Sequence, residues 1–162
     1  MREGFERRFA GVIADALENL AFVFAFDESE ERAPDGPCVE LRFSGLFRGA
    51  FFLWLDSSLL DEITENMLGV EEGTPVSDIH REDALKEAAN VISGNLLPEI
   101  GGKEAVFDLI PSEVNTSGGL DLALKGRKVS CRVTLSAEES VLTGALWFED
   151  RKAFDEHMNS RG

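Results

Sequence analysis

Apolar residues recur at three- and four-residue steps through the opening segment GFERRFAGVIADALENLAFVF. Phe5, Phe9, Val12, Ala16, Leu20 and Phe24 fall on one side of an amphipathic helix. A polar loop, DESEERAPDGP, follows it. CVELRF and LFRGAFFLWL then read as two strands of a hairpin joined by a short Ser-Gly turn. Ser57 or Ser58 is placed to cap the next helix, SSLLDEITENMLG, and Gly69 stops it. After a second loop, VEEGTPVSDI, a long helix begins near Ile79 and reaches Leu97, where Pro98 and the pair Gly101 and Gly102 end it. EAVFDLIPSEVN, LDLALKG, KVSCRVTLSA and VLTGALWFE are four strand-like runs separated by Gly, Ser and Asn turns. Residues 150–162 form a short helix or a frayed tail.

This order predicts an α+β fold, a mainly antiparallel sheet with two long helices and a shorter one packed on it. No linker or low-complexity tract divides the chain, so residues 1–162 are expected to form a single domain. The two halves echo each other, a helix followed by antiparallel strands in each, although DALENLA and DALKEAAN align only with a one-residue shift.

Composition changes this picture at several points. The runs LAFVFAF and LFRGAFFLWL read as buried strands, being well short of the roughly 18–20 apolar residues of a membrane span. No apolar stretch follows the charged start MREGFERRFAG, which predicts no signal peptide and a cytoplasmic location. With 31 acidic residues against 16 basic, the net charge of −15 disfavours nucleic acid and anionic lipid as partners. Cys38 and Cys131 lie far apart in strand-like segments and read as buried thiols. Only two histidines are present, His80 and His157, so no metal site is expected. Trp54 and Trp147 read as core, and NTSGG at 115–119 as a turn.

The long helix DALKEAANVISGNLLPEIGG carries the candidate chemistry. At 100° per residue from Asp83, Glu87 falls at about 40°, Asn90 at about −20° and Gly94 at about 20°. Leu85, Ala88, Ala89, Ile92 and Leu96 cluster on the opposite side, at about 140–240°. The apolar side must face the sheet, so the polar stripe faces outward. Asn is a poor helix former, and a mid-helix Gly costs roughly 1 kcal/mol relative to Ala. A fixed carboxylate, a fixed amide and a clearing suit close approach by another backbone. Residue chemistry alone leaves open a plain solvated helix face.

Asp83, Glu87 and Asn90, spaced D-x3-E-x2-N and followed by Pro111, resemble the signature of the CheC/CheX/FliY phosphatases of bacterial chemotaxis. Asn90, Gly94 and Asn95 also fit the Asn-x3-Gly-Asn extension common in that family. The interval to Pro111 is slightly shorter than the family's. CheC-type chains usually carry the motif on both long helices. Here Glu18 keeps the glutamate place on the first, but Ala14 and Ala21 stand where the acid and the amide would be. One intact copy is the CheX-like arrangement, and the length leaves no room for the C-terminal switch domain of FliY and FliM.

The resemblance implies a phosphatase acting on the aspartyl phosphate of a CheY-type response regulator. Asn90 would orient the attacking water and Glu87 would pair with the receiver's lysine; both are the implied catalytic residues. Asp83, Gly94 and Asn95 would support contact with that partner. The chain would bind no cofactor, the Mg²⁺ belonging to the receiver's own site. A homodimer joined through edge strands is implied as well. The alternative is an adaptor of the same fold that binds a receiver without hydrolysis.

Overall fold

The computed structural model describes residues 2–27 and 32–161. Its helices are α1 (Arg2–Ala21), α2 (Ser57–Leu68), α3 (Asp78–Gly101), α4 (Gly119–Leu124) and α5 (Arg151–Arg161). Its strands are β1 (Phe26–Asp27), β2 (Cys38–Gly45), β3 (Gly49–Leu55), β4 (Phe107–Leu109), β5 (Glu113–Asn115), β6 (Cys131–Ala137) and β7 (Ser140–Phe148). They form one sheet in the order β1-β6-β7-β3-β2-β4, with β5 also on β2, and every pairing is antiparallel. This is the α+β class expected.

The helix–hairpin–helix order α1-β2-β3-α2 returns as α3-β6-β7-α5, with β4, β5 and α4 inserted in the second copy. The two hairpins meet along β3 and β7. Each long helix packs on the hairpin of the other half, α1 on β6 and α3 on β2 and β3. Gly144 lets α1 sit close to β7, because a Cβ there would stand 2.5 Å from Ile13 Cδ1.

Alternation along β3 explains its unbroken apolar run. Phe51, Leu53 and Leu55 face the main core beneath α1, α2 and α3, while Ala50, Phe52 and Trp54 face a smaller core beneath α4. Each fully buried Phe or Leu contributes roughly 1.5–3 kcal/mol, and a one-residue slip would exchange the two faces, so burial fixes the register.

Several expectations are corrected. LDLALKG contains α4, not a strand: Leu120, Ala123 and Leu124 are buried at helical spacing while Leu122 is exposed. LAFVFAF is not a buried strand. α1 ends at Ala21, Phe22 takes φ 55°, and beyond it Val23 and Ala25 turn inward. Phe22, Phe24 and Phe26 are left 73%, 60% and 68% exposed. Within α1 itself, Ile13 and Leu17 are fully buried, whereas Val12 and Leu20 are only half-buried. The segment EAVFDLIPSEVN is broken into β4 and β5. Of the two alternatives for the C-terminal segment, the short helix is the one found, α5 spanning Arg151–Arg161. Trp54 and Trp147 are half-buried. Of the predicted loop DESEERAPDGP, residues 28–31 lie outside the described residues.

Neither Ser57 nor Ser58 caps α2; the N-cap is Asp56. Its carboxylate makes no bond to the helix. It accepts from Arg32 (2.8 Å) and from the backbone N–H groups of Asp35 (2.7 Å) and Val141 (2.8 Å), joining three segments distant in sequence. Burial pushes its pKa up, but Arg32 and the two N–H groups outweigh burial and hold the carboxyl below the ordinary Asp range. A lowered pKa means that this charge contributes its full stability above that range. The contribution is lost as pH falls through the lowered value.

Pro98 lies inside α3, which continues to Gly101. The last turn is held from outside: His157 Nε2 of α5 donates to the Ile100 carbonyl at 2.8 Å, satisfying a C-terminal acceptor. α5 is seated in turn by Phe154, stacked on Phe148 with ring centroids 4.0 Å apart.

Candidate functional site

α3 is fixed at both ends. Ser77 caps its start, the hydroxyl accepting from the His80 N–H at 3.1 Å. Arg81 then bridges to Asp61 of α2 (2.6 Å) and to Asp78 (2.9 Å), locking the first turns beside α2. This clamp was not read from the sequence, where Asp61 and Arg81 belong to separate elements. Leu85, Ala88, Ala89, Ile92, Leu96 and Ile100 bury one face of the helix, and Ala84, Ser93 and Leu97 widen the buried arc beyond the predicted one.

The opposite face is open. Asp83, Glu87, Asn90 and Gly94 are all exposed in one stripe. Asn95 is exposed too, but at about 120° on the same wheel it occupies the flank. Among the described residues, the side chains of Asp83, Glu87 and Asn90 make no hydrogen bond or ion pair, and the nearby Lys86 is engaged with Glu82 at 3.0 Å.

The stripe costs the helix stability, with no offsetting contact among the described residues. Asp83 and Glu87 are like charges at i,i+4, worth about 0.2–0.5 kcal/mol of repulsion. Asn90 costs up to about 0.7 kcal/mol and Gly94 about 1 kcal/mol relative to Ala. Gly94 answers no packing need, since a Cβ there would meet no atom within 4 Å. Pro98 also offers no N–H to the Gly94 carbonyl, the bond an uninterrupted helix would make. A surface that is unpaired among the described residues, low in relief and rigidly held is suited to a partner.

Pro111 is exposed between β4 and β5. Register shifts by one residue there, from Phe43 opposite Leu109 to Cys38 opposite Asn115, so residues 110–112 form a bulge against β2. A proline on an edge strand at a bulge loses no ladder bond.

The first-helix copy lacks this geometry. Ala14 is half-buried, Glu18 is exposed, and Ala21, in the place of the amide, is fully buried at the helix end. The Ala21 carbonyl accepts from Asn66 Nδ2 at 2.7 Å, closing α1 onto α2.

Other chemistry is quiet. Both thiols are free and buried, and burial, with Glu40 nearby, pushes Cys38 up to about 12. Among the described residues no three His, Cys, Asp or Glu side chains come together as metal ligands, and no helix is long and apolar enough to cross a membrane.

The family model for chemotaxis phosphatase CheX matches residues 38–136, which include all of α3 and none of α1. No curated protein matches the chain. Among solved structures, CheX from Vibrio vulnificus aligns with a TM-score of 0.70 at 20% identity, over 92% of this chain and 99% of its own. A chain of the CheX–CheY–BeF3–Mg²⁺ complex of Borrelia burgdorferi gives 0.67 at 16% identity, over 89% and 97%. FliY of Thermotoga maritima gives 0.63 at 16%, over 100% and 99%. At these identities the structural likeness is one of fold.

Proposed function

Because the chain belongs to the family of the chemotaxis phosphatase CheX, we propose that it hydrolyses the aspartyl phosphate of a CheY-type response regulator. The observation that carries this reading is the pair Glu87 and Asn90, less than one turn apart on α3, exposed and without a partner among the described residues.

An aspartyl phosphate is a labile acyl phosphate, so hydrolysis needs no nucleophile from this chain. It needs a water held in line with phosphorus. The Asn90 amide is short, sits on a rigid helix and both donates and accepts, so it can orient that water inside the receiver's pocket. The oxygen of the water bonds to phosphorus as the bond from phosphorus to the aspartate oxygen breaks, giving inorganic phosphate and the free carboxylate. Mg²⁺ in the receiver's own site would neutralise charge on the phosphoryl oxygens. Glu87 pairs with the receiver lysine beside the phosphate and sets the register of the two surfaces. Asp83 supports contact one turn earlier, Gly94 clears space for the receiver's backbone, and Asn95 contributes from the flank.

Phosphate release from a phosphorylated CheY-type receiver, with Mg²⁺ present, tests this directly with wild type and Asn90→Ala side by side. Acceleration by wild type and not by the variant is the expected result. Equal acceleration would move the site elsewhere, and binding without acceleration would make the protein an adaptor.

The same reading carries a homodimer joined edge to edge. β1 and β4 stand at the two ends of the strand order, where such a pairing would be made. Light scattering behind size-exclusion chromatography checks it, and a monomer at micromolar concentration would remove it.

A further inference from the structure

The face of the sheet away from α3 holds a cavity of about 560 Å³ whose charge is opposite to that of the rest of the protein. Arg42, Arg48, Lys125 and Arg127 line it with Trp147, against one carboxylate, Glu149. The whole chain has 16 basic and 31 acidic residues, so a four-to-one excess of cations in one concavity is a reversal.

The site is built rather than scattered. Glu40, 2% exposed, lies beneath it and accepts from Arg42 Nε (3.1 Å) and Arg127 Nη1 (2.8 Å). Two guanidinium groups on one carboxylate leave a net positive charge. Arg127 is spent on structure: it donates to the Ala123 and Leu124 carbonyls at the end of α4 and lies over the Phe52 and Trp147 rings. It forms a fixed cationic wall. Arg42 is half-exposed, and its terminal nitrogens make no other bond among the described residues. Arg48 and Lys125 are exposed and make no ion pair among the described residues. Lys125 also holds the left-handed C-cap of α4 with φ 52°, a place where Gly is usual.

We propose that this cavity binds a small phosphate-bearing ligand with an aromatic ring, of the mononucleotide class. The terminal nitrogens of Arg42 and the charged groups of Arg48 and Lys125 match phosphate oxygens, and the part of the half-buried Trp147 indole that Arg127 leaves open gives the ring an apolar contact. The site lies across the sheet from Glu87 and Asn90, and its occupancy does not depend on the phosphatase reading.

Calorimetric titration of the full chain at low salt, with no receiver present, tests it using ATP, pyrophosphate and adenosine. ATP is expected to bind, pyrophosphate more weakly, and adenosine not at all. The Arg48→Ala/Lys125→Ala double variant is expected to raise Kd for ATP by at least about tenfold. It should keep the wild-type circular dichroism and the wild-type rate on a phosphorylated receiver. No binding of ATP, equal affinity in wild type and variant, or pyrophosphate binding as tightly as ATP would each overturn the proposal.

Discussion

α1 and α3 hold equivalent places in the two halves of the molecule, yet only one of them presents chemistry. Both follow the same rule on their inner faces, with Ile13 and Leu17 in one and Leu85 and Ile92 in the other, all buried in a shared core. They part at the position of the amide. In α3 the helix continues for eleven residues past Asn90, so the side chain stands on a continuous outer face. In α1 the chain leaves the helix immediately after Ala21, which is fully buried with its carbonyl taken by Asn66. α1 therefore lacks both things that α3 has, the acid and amide of the motif and a helix that runs on far enough to hold an amide in the open.

The largest effect that could break this comparison is Asn90→Ala, which gives α3 the residue of α1. Losing an oriented water by misplacement costs about a hundredfold, near 2.7 kcal/mol. Turnover of phosphorylated receiver should fall by that factor, with receiver affinity and thermal stability retained, because Asn90 has no partner among the described residues. The reverse exchange comes next. Ala21→Asn places an amide in a fully buried position, at a cost of about 1–3 kcal/mol. The melting temperature should drop by several degrees, with no activity gained in an Asn90→Ala background. Restored hydrolysis there would mean that α1 is a usable second site.

Much of this contrast was legible in the sequence because it is local. A stripe confined to one helix needs only the 3.6-residue period, and α3 is long enough for that period to declare itself. β3 was equally readable from its unbroken apolar run. What failed was decided elsewhere in the molecule. In LDLALKG, Leu120, Leu122 and Leu124 alternate like a strand, but Leu120, Ala123 and Leu124 fit a helix equally well, and the open face of the sheet decides between them. Pro98 looked like a terminus because His157, far along the chain, supplies what the last turn lacks. Ser57 and Ser58 looked like caps because Asp56 finds its partners in Arg32 and Val141. LAFVFAF misled because hydrophobicity orders residues by type, whereas the fold turned the smaller Val23 and Ala25 inward. The cationic cavity had no local signature, being assembled from four separated segments.

Glu87 sharpens the comparison at a smaller scale, since Glu18 is its exposed counterpart on α1. Glu87→Gln keeps the shape and removes the charge that would meet the receiver lysine. KM for phosphorylated receiver should rise about tenfold, near 1.4 kcal/mol, with a much smaller change in kcat and a shallower dependence on salt. Glu18→Gln should change neither. A fall in kcat at unchanged KM would reassign Glu87 from docking to the chemical step, and an effect of Glu18→Gln would make α1 part of the docking surface.

Gly94 supplies the smallest and most discriminating effect, because its two expected consequences run in opposite directions. A Cβ at this position meets no atom of the chain within 4 Å, so Gly94→Ala should stabilise the helix by about 1 kcal/mol. For a chain of this size that raises the melting temperature by roughly 2–4 °C. If the glycine is a clearing for the receiver's backbone, the same methyl must weaken docking while the isolated protein becomes more stable. Calorimetry of the free variant and titration with a receiver measure the two separately. A more stable variant with unchanged receiver affinity would show that the partner does not approach α3 at this turn. A variant that loses both would mean that Gly94 is needed within the fold, and the stripe would then be an ordinary solvated face, as on α1.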